Sequence, residues 1–191
     1  MLKNIAVLVS GSGTNLQSLI DSQKNGVIKS GKITLCISDR ENAYALERAK
    51  NANIKALYIK KGADFEKNLI DALDEANIDI IVLAGFLSIL SEDFVKRYPK
   101  KIINVHPSLI PSFCGDGFYG LKVHEAALKK GVKVSGATTH FVNEITDGGE
   151  IIMQKAVYVK DTDTPETLQR RIMEEAEWII LPQSVEKVCA K

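Results

Sequence analysis

An amide and an imidazole two residues apart, Asn104 and His106, stand at the end of an apolar run and directly before a proline. In a strand, residues two apart share a face, so Asn104 and His106 project to one side while Ile103 and Val105 project to the other. Pro107 ends the ladder by removing a donor and biases His106 toward an extended conformation, and Pro111 stiffens the exit. A carboxamide donor and an imidazole on so stiff a platform can polarise a carbonyl and move a proton. Alone, either residue is more often a loop cap. As a pair at the C-terminal end of a parallel strand they lie where open α/β sheets place their ligand crevices.

Two other stretches offer chemistry. Gly11-Ser12-Gly13-Thr14-Asn15 follows the apolar run Ile5–Ser10 and precedes Leu16, Leu19 and Ile20 at helical spacing, which reads as strand, glycine-rich turn and helix. Such a turn aims backbone N–H groups at a helix N-terminus, where an anion is favoured. The dinucleotide fingerprint wants a third small residue where Leu16 stands, and the triphosphate loop wants Gly-Lys-Ser/Thr; neither is present. The reading is a monophosphate site with Ser12, Thr14 and Asn15 supplementing the backbone, and a tight capped turn without a ligand stays open beside it. The second stretch, Asn143-Glu144-Ile145-Thr146-Asp147-Gly148-Gly149-Glu150, supplies carboxylates, although Asp147-Gly148-Gly149 is a strong hairpin-turn signal whatever the function.

The elements that must position these groups alternate along the chain. Ile33–Ser38 reads as strand, Ala43–Ala52 as helix, Ala56–Ile59 as a short strand, Phe65–Ala76 as an amphipathic helix and Ile80–Ala84 as a buried strand. That rhythm predicts an α/β fold, a doubly wound, mostly parallel sheet with helices on both faces. Gly85–Leu90 is unusually apolar for a connection and either walls a pocket for a flat heterocycle or packs as core. Ser112–Gly120, with three glycines and three aromatics in nine residues, is either a loop that closes over something or an ordinary connection. Val123–Lys130 reads as a helix carrying a partly exposed His124. Val134–Val142 and Ile151–Val159 read as strands, with His140 on the first as a supporting hydrogen-bonding group. Thr164-Pro165-Glu166 starts a long C-terminal helix, with Thr164 as N-cap.

A chain of 191 residues is expected to form a single domain, 1–191, with a substantial core. Its 25 basic and 24 acidic residues, net charge +1, give no footprint for nucleic acid or a membrane surface, so an anionic ligand must be held locally. Cys36, Cys114 and Cys189 lack the spacing of a disulfide framework or a zinc site, and no metal is expected. No apolar run approaches the ~20 residues that span a bilayer, and the N-terminus has no signal-peptide architecture; a cytoplasmic location is the expectation.

Ser10–Gln17, Leu83-Ala84-Gly85-Phe86, Asn104–Pro111, and His140-Phe141-Val142 with Asp147-Gly148-Gly149 closely resemble the phosphoribosylglycinamide formyltransferases, the folate-dependent glycinamide ribonucleotide transformylases of purine biosynthesis. The resemblance spans nearly the whole chain. The proline motif is shared with other users of formyltetrahydrofolate, so it speaks for the chemistry rather than the acceptor. Methionyl-tRNA formyltransferases carry an extra C-terminal nucleic-acid-binding domain and formyltetrahydrofolate deformylases an extra N-terminal regulatory one; this chain is expected to have neither, and its neutral charge argues against tRNA. The alternatives are another formyltetrahydrofolate-using hydrolase or formyltransferase, or a non-catalytic phosphate-binding α/β module.

The resemblance implies a Rossmann-like formyltransferase domain with the ribonucleotide phosphate site in its N-terminal part and the folate site in its C-terminal part. It implies that Asn104, His106 and Asp147 are the catalytic group. Gly13, Thr14 and Asn15, helped by Glu174 and Glu177, would hold the glycinamide ribonucleotide. Leu87, Ser88, Ile89, Leu90, Asn104, Asn143, Glu144, Ile145, Thr146 and Asp147 would line the pocket for 10-formyltetrahydrofolate, the co-substrate. Where relatives commonly place a basic residue before the helix near Phe65, this chain has Lys60-Lys61-Gly62, and Lys61 is the expected substitute; Ser88 stands where some relatives have arginine. A carboxylate near His106 is expected to raise its pKa above about 6.5. Small molecules are the expected partners, without nucleic acid or membrane, and the sequence leaves a homodimer open.

Overall fold

In the computed structural model, which describes residues 1–191, seven strands form one sheet. They are β1 (Lys3–Val9), β2 (Gly31–Ser38), β3 (Lys55–Tyr58), β4 (Ile80–Leu83), β5 (Ile102–His106), β6 (Val134–Phe141) and β7 (Ile151–Tyr158). The order across the sheet is β3-β2-β1-β4-β5-β6-β7. Strands β1 to β5 pair in parallel, and β6 runs antiparallel to both β5 and β7. The strand order reverses at β1, which lies between β2 and β4, so the crevice of a doubly wound sheet opens where β1 and β4 end. The glycine-rich loop leaves β1 there, and Gly85–Leu90 leaves β4 beside it.

Strand β1 shows why the sheet needs helices on both faces. Ile5 to Val9 are entirely shielded from solvent. Ile5, Val7 and Val9 pack with Leu16, Leu19, Leu46, Leu181 and Val185, from helices α1 (Thr14–Lys24), α2 (Tyr44–Asn51) and α7 (Trp178–Cys189). Ala6 and Leu8 point the other way, into Leu69, Leu73, Phe94 and Val95 from α3 (Phe65–Glu75) and α4 (Glu92–Arg97). The period-two alternation thus divides one strand between two cores. A third, smaller cluster joins Ala127 of α5 (Leu121–Lys130) and Leu168 and Ile172 of α6 (Pro165–Ile172) to Ala137 and Val157 of the antiparallel strands.

Two elements depart from the sequence expectation. The six-residue α4 was not anticipated, although its cues are present: the Ser91 hydroxyl caps it by accepting from the Phe94 N–H, Glu92 and Asp93 fill its first turn, and Lys96 and Arg97 its last. The C-terminal helix starts as expected, with Thr164 accepting from the Thr167 N–H and Pro165 in the first turn. It is not uniform, however, because Met173–Glu177 form a π-helical turn between α6 and α7. Such a turn inserts an extra residue per turn and rotates the side chains that follow.

The expectation of a partly exposed His124 is corrected. Helix α5 buries Val123, His124 and Ala127, so the imidazole faces inward, is fully shielded, and neither ring nitrogen finds a protein partner. Burial first, and the His106 charge second, push its pKa down to about 4, and the ring is neutral at neutral pH.

Candidate active site

Strand β5 delivers Asn104 and His106 to one face, and β6, antiparallel beside it, places His140 opposite Asn104. The Asn104 side-chain Nδ2 donates to His140 Nε2 at 3.1 Å, while the His140 Nδ1–H is donated to the Phe141 carbonyl at 2.9 Å. These partners assign His140 as the Nδ1–H tautomer. His106 Nε2–H donates to the Phe113 carbonyl at 2.8 Å, which leaves Nδ1 as the free nitrogen. The Asn143–Glu150 loop turns back over both rings, with Asp147 in a left-handed conformation at φ 55°. Asp147 Oδ2 lies 3.4 Å from His106 Nδ1, and its Oδ1 lies 3.5 Å from His140 Nε2. The Gly115 N–H, from the Ser112–Gly120 loop, donates to the same Oδ2 at 2.9 Å.

The electrostatics are those of a site one proton short. Burial pushes the Asp147 carboxyl up, but the His140 ring, the Gly115 N–H and the His106 ring outweigh it and hold the group below the ordinary carboxylate range. The expectation for His106 is corrected: its pKa is lowered, because burial outweighs the Phe113 carbonyl and the Asp147 charge that raise it. At neutral pH a neutral His106 therefore presents a lone pair to a carboxylate oxygen, two acceptors facing each other. A single added proton satisfies both, so the pair is built to take a proton from an incoming donor.

The glycine-rich loop opens the second part of the site. A cavity of about 150 Å³ is lined by Gly11, Ser12, Gly13, Thr14, Asn15, Ala84 and Gly85, at the positive end of α1. Gly13 has φ 74°, and a Cβ there would lie 2.6 Å from the Ala45 Cβ, so only glycine fits. Asn15 Nδ2 donates to Glu177 Oε2 at 2.7 Å, whereas the buried Asn15 Oδ1 has no protein partner and remains an open acceptor.

The structure brings Glu177 to this loop and not Glu174. Glu177 ends the π-helical turn and is buried, while Glu174 forms a surface pair with Arg170 at 2.9 Å. Burial pushes the Glu177 carboxyl up to about 7, against the opposing Asn15 hydrogen bond. Its folded pKa therefore lies above the usual 4.5, so its stabilising contribution is complete below pH 4.5 and is lost as pH rises through 7. Glu177→Gln, which keeps an acceptor for Asn15, should exceed the parent protein in stability at pH 8 by up to roughly 3 kcal/mol and show no such gain at pH 4.5. Urea midpoints at the two pH values check this, and an equal change at both would contradict it.

Around the mouth, Leu87, Ile89 and Ile145 are exposed apolar side chains, and Leu90 packs partly onto the core. Thr146 Oγ1 donates to Asp116 at 3.0 Å, the Ile145 N–H donates to Asn143 Oδ1 at 3.1 Å, and Glu144 is exposed. Lys61, the expected basic residue ahead of α3, is half exposed with its ammonium 2.9 Å from Asp39 Oδ2, and the Ser88 hydroxyl donates to the same oxygen at 2.6 Å. Sequence reasoning missed Asp39, although an acid just past a strand of a doubly wound sheet is a usable signal.

Residues 3–185 match a formyl transferase family. The chain is 41% identical over 188 residues to a phosphoribosylglycinamide formyltransferase of Haemophilus influenzae, covering 95% of this chain and 84% of the relative. It is 37% identical to a chloroplastic phosphoribosylglycinamide formyltransferase of Arabidopsis thaliana, covering 91% of this chain. It spans 61% of the length of that plant relative and of one from Vigna unguiculata, and 18% of the human trifunctional purine biosynthetic protein adenosine-3. Among solved structures it is similar to glycinamide ribonucleotide transformylase 1 from Symbiobacterium toebii, with a TM-score of 0.91, 39% identity, and 99% of this chain and 88% of that one covered. Since the match runs from the first strand into the last helix, over nearly every element that shapes the crevice, the chain belongs to the formyl transferase family.

Proposed function

We propose that this chain transfers the formyl group of 10-formyltetrahydrofolate to the amine of glycinamide ribonucleotide. The observation that carries the reading is the unbroken chain of contacts, none longer than 3.5 Å, from Asn104 through His140 and Asp147 to His106, on the same end of the sheet as the Gly13 cavity. Gly13, Thr14 and Asn15 hold the ribonucleotide phosphate and Glu177 closes the same subsite. Leu87, Ile89 and Ile145 meet the folate ring, and the two small molecules are the partners of a cytoplasmic enzyme.

In the reaction, the amine nitrogen attacks the formyl carbon, a new C–N bond forms, and the carbonyl oxygen becomes an oxyanion. The second N–H of the Asn104 carboxamide, whose first is anchored on His140, is directed at that oxygen; a preorganised donor of this kind is worth ~3–4 kcal/mol in the transition state. The attacking nitrogen sheds a proton to the His106/Asp147 pair, and that proton is returned to the folate nitrogen as its C–N bond breaks. Holding both substrates at near-attack distance contributes ~7–11 kcal/mol.

A formyl-transfer assay with glycinamide ribonucleotide tests the reading, with a parallel reaction from which the ribonucleotide is omitted. Formylation that requires the ribonucleotide is expected. Release of formate at the same rate without it would make the chain a hydrolase, and binding of a sugar phosphate with no folate binding would make it a phosphate module.

A further inference from the structure

Asp39 directly follows β2, and its side chain is fully shielded from solvent although no step of the reaction uses it. Its Oδ2 accepts from the Ser88 hydroxyl at 2.6 Å and lies 2.9 Å from the Lys61 ammonium, which is half exposed above it. Ser10, the last residue before the glycine-rich loop, holds the same Gly85–Leu90 wall by bonds of its own. The Ser10 hydroxyl accepts from the Leu87 N–H at 2.8 Å, and the Ser10 N–H donates to the Gly85 carbonyl at 3.2 Å. Burial pushes the Asp39 carboxyl up, but Ser88, Lys61 and Ser10 together outweigh it, and the group is held below the ordinary carboxylate range. One buried charge therefore ties the segment ahead of α3 to the Gly85–Leu90 wall, and its second oxygen, Oδ1, is buried without a partner.

A buried carboxylate with a single cation is costly to leave unpaired, so the position of Lys61 is dictated from below. An ammonium already neutralised at 2.9 Å has little left to offer a second carboxylate arriving from solvent, where ion pairs are weak. We propose that Asp39 is a positioning residue for the folate: it fixes the Gly85–Leu90 wall through Ser88 and takes Lys61 as its own counter-ion, so that Lys61 serves the wall rather than the carboxylate tail of the folate. This rests on the proposed function, since the wall matters only if a folate lies against it.

The test is titration of the full chain with two non-reactive folate analogues, one carrying the glutamate tail and one ending at the benzoate. Asp39→Ala should bind both on the order of tenfold more weakly, the equivalent of one charge-assisted hydrogen bond, with ribonucleotide affinity within about twofold. Asp39→Asn, whose amide oxygen still accepts from Ser88, should recover most of the loss. Ser88→Ala leaves the buried ion pair intact and should lose affinity in the same direction by a smaller factor, which keeps the inference testable if Asp39→Ala does not fold. Lys61→Ala should weaken both analogues equally. Unchanged analogue affinity in Ser88→Ala, or a Lys61→Ala loss confined to the tailed analogue, would overturn it. A parent protein that binds the analogues but transfers no formyl group would count against the proposed function alone. An Asp39→Ala variant that binds them like the parent would count against the role of Asp39 alone.

Discussion

Asp147→Asn is expected to lower kcat by about 10²–10⁴-fold while ribonucleotide affinity stays within about twofold, the loss that follows from removing positioned proton transfer. Asparagine is nearly isosteric, and its oxygen can still accept from the Gly115 N–H that meets Oδ2 at 2.9 Å. With that oxygen in the Oδ2 position, 3.4 Å from His106 Nδ1, the amide nitrogen takes the Oδ1 position, 3.5 Å from His140 Nε2. The loop is thus held, but the oxygen facing His106 has lost the negative charge that lets the pair take up and hold a proton. The Gly13 cavity is lined by other residues altogether, so binding there is spared. Isothermal titration with the ribonucleotide beside steady-state kinetics separates the two effects, and equal losses in both would assign Asp147 to structure.

Asn104→Ala should cost about 10²–10³-fold in kcat, the effect of losing one preorganised oxyanion donor. The same substitution leaves His140 Nε2 without the donor it has at 3.1 Å. A stability loss of about 1–3 kcal/mol should accompany it, because a buried acceptor is left unmade. The two consequences are separable. A mimic of the tetrahedral adduct should lose affinity in step with kcat, whereas the Kd of each substrate alone should barely move. Equal weakening of substrates and mimic would mean that Asn104 orients the ground state rather than the oxyanion.

The parts legible in the sequence were those governed by local pattern. The alternation in Ile103–His106, the glycine-rich turn before Leu16 and the Thr164-Pro165 helix start each depend on a few neighbouring residues, and the structure shows all three. What was not legible depends on long-range contact. Asp39 meets Ser88 across 49 positions, because β2 and β4 flank β1, and no local pattern announces that. Glu177 and Glu174 look alike in sequence, and only the π-helical turn sends one inward and leaves the other on the surface. The direction of the His106 shift is likewise a balance between a visible carboxylate and a burial that only the folded chain defines. His124 looked like a surface histidine because polar residues mostly are; its neighbours Val123 and Ala127 mark the buried face on which it lies.

The proposed reaction has the formyl group change hands beside Asp147. Its most direct test is a single-turnover reaction with the enzyme in excess over formyl-labelled folate and the ribonucleotide saturating, comparing the parent protein with Asp147→Asn. Rapid appearance of label on the ribonucleotide amine is expected in the parent, and in the variant the same bound complex with the label still on the folate. Transfer at the parental rate in Asp147→Asn would contradict it.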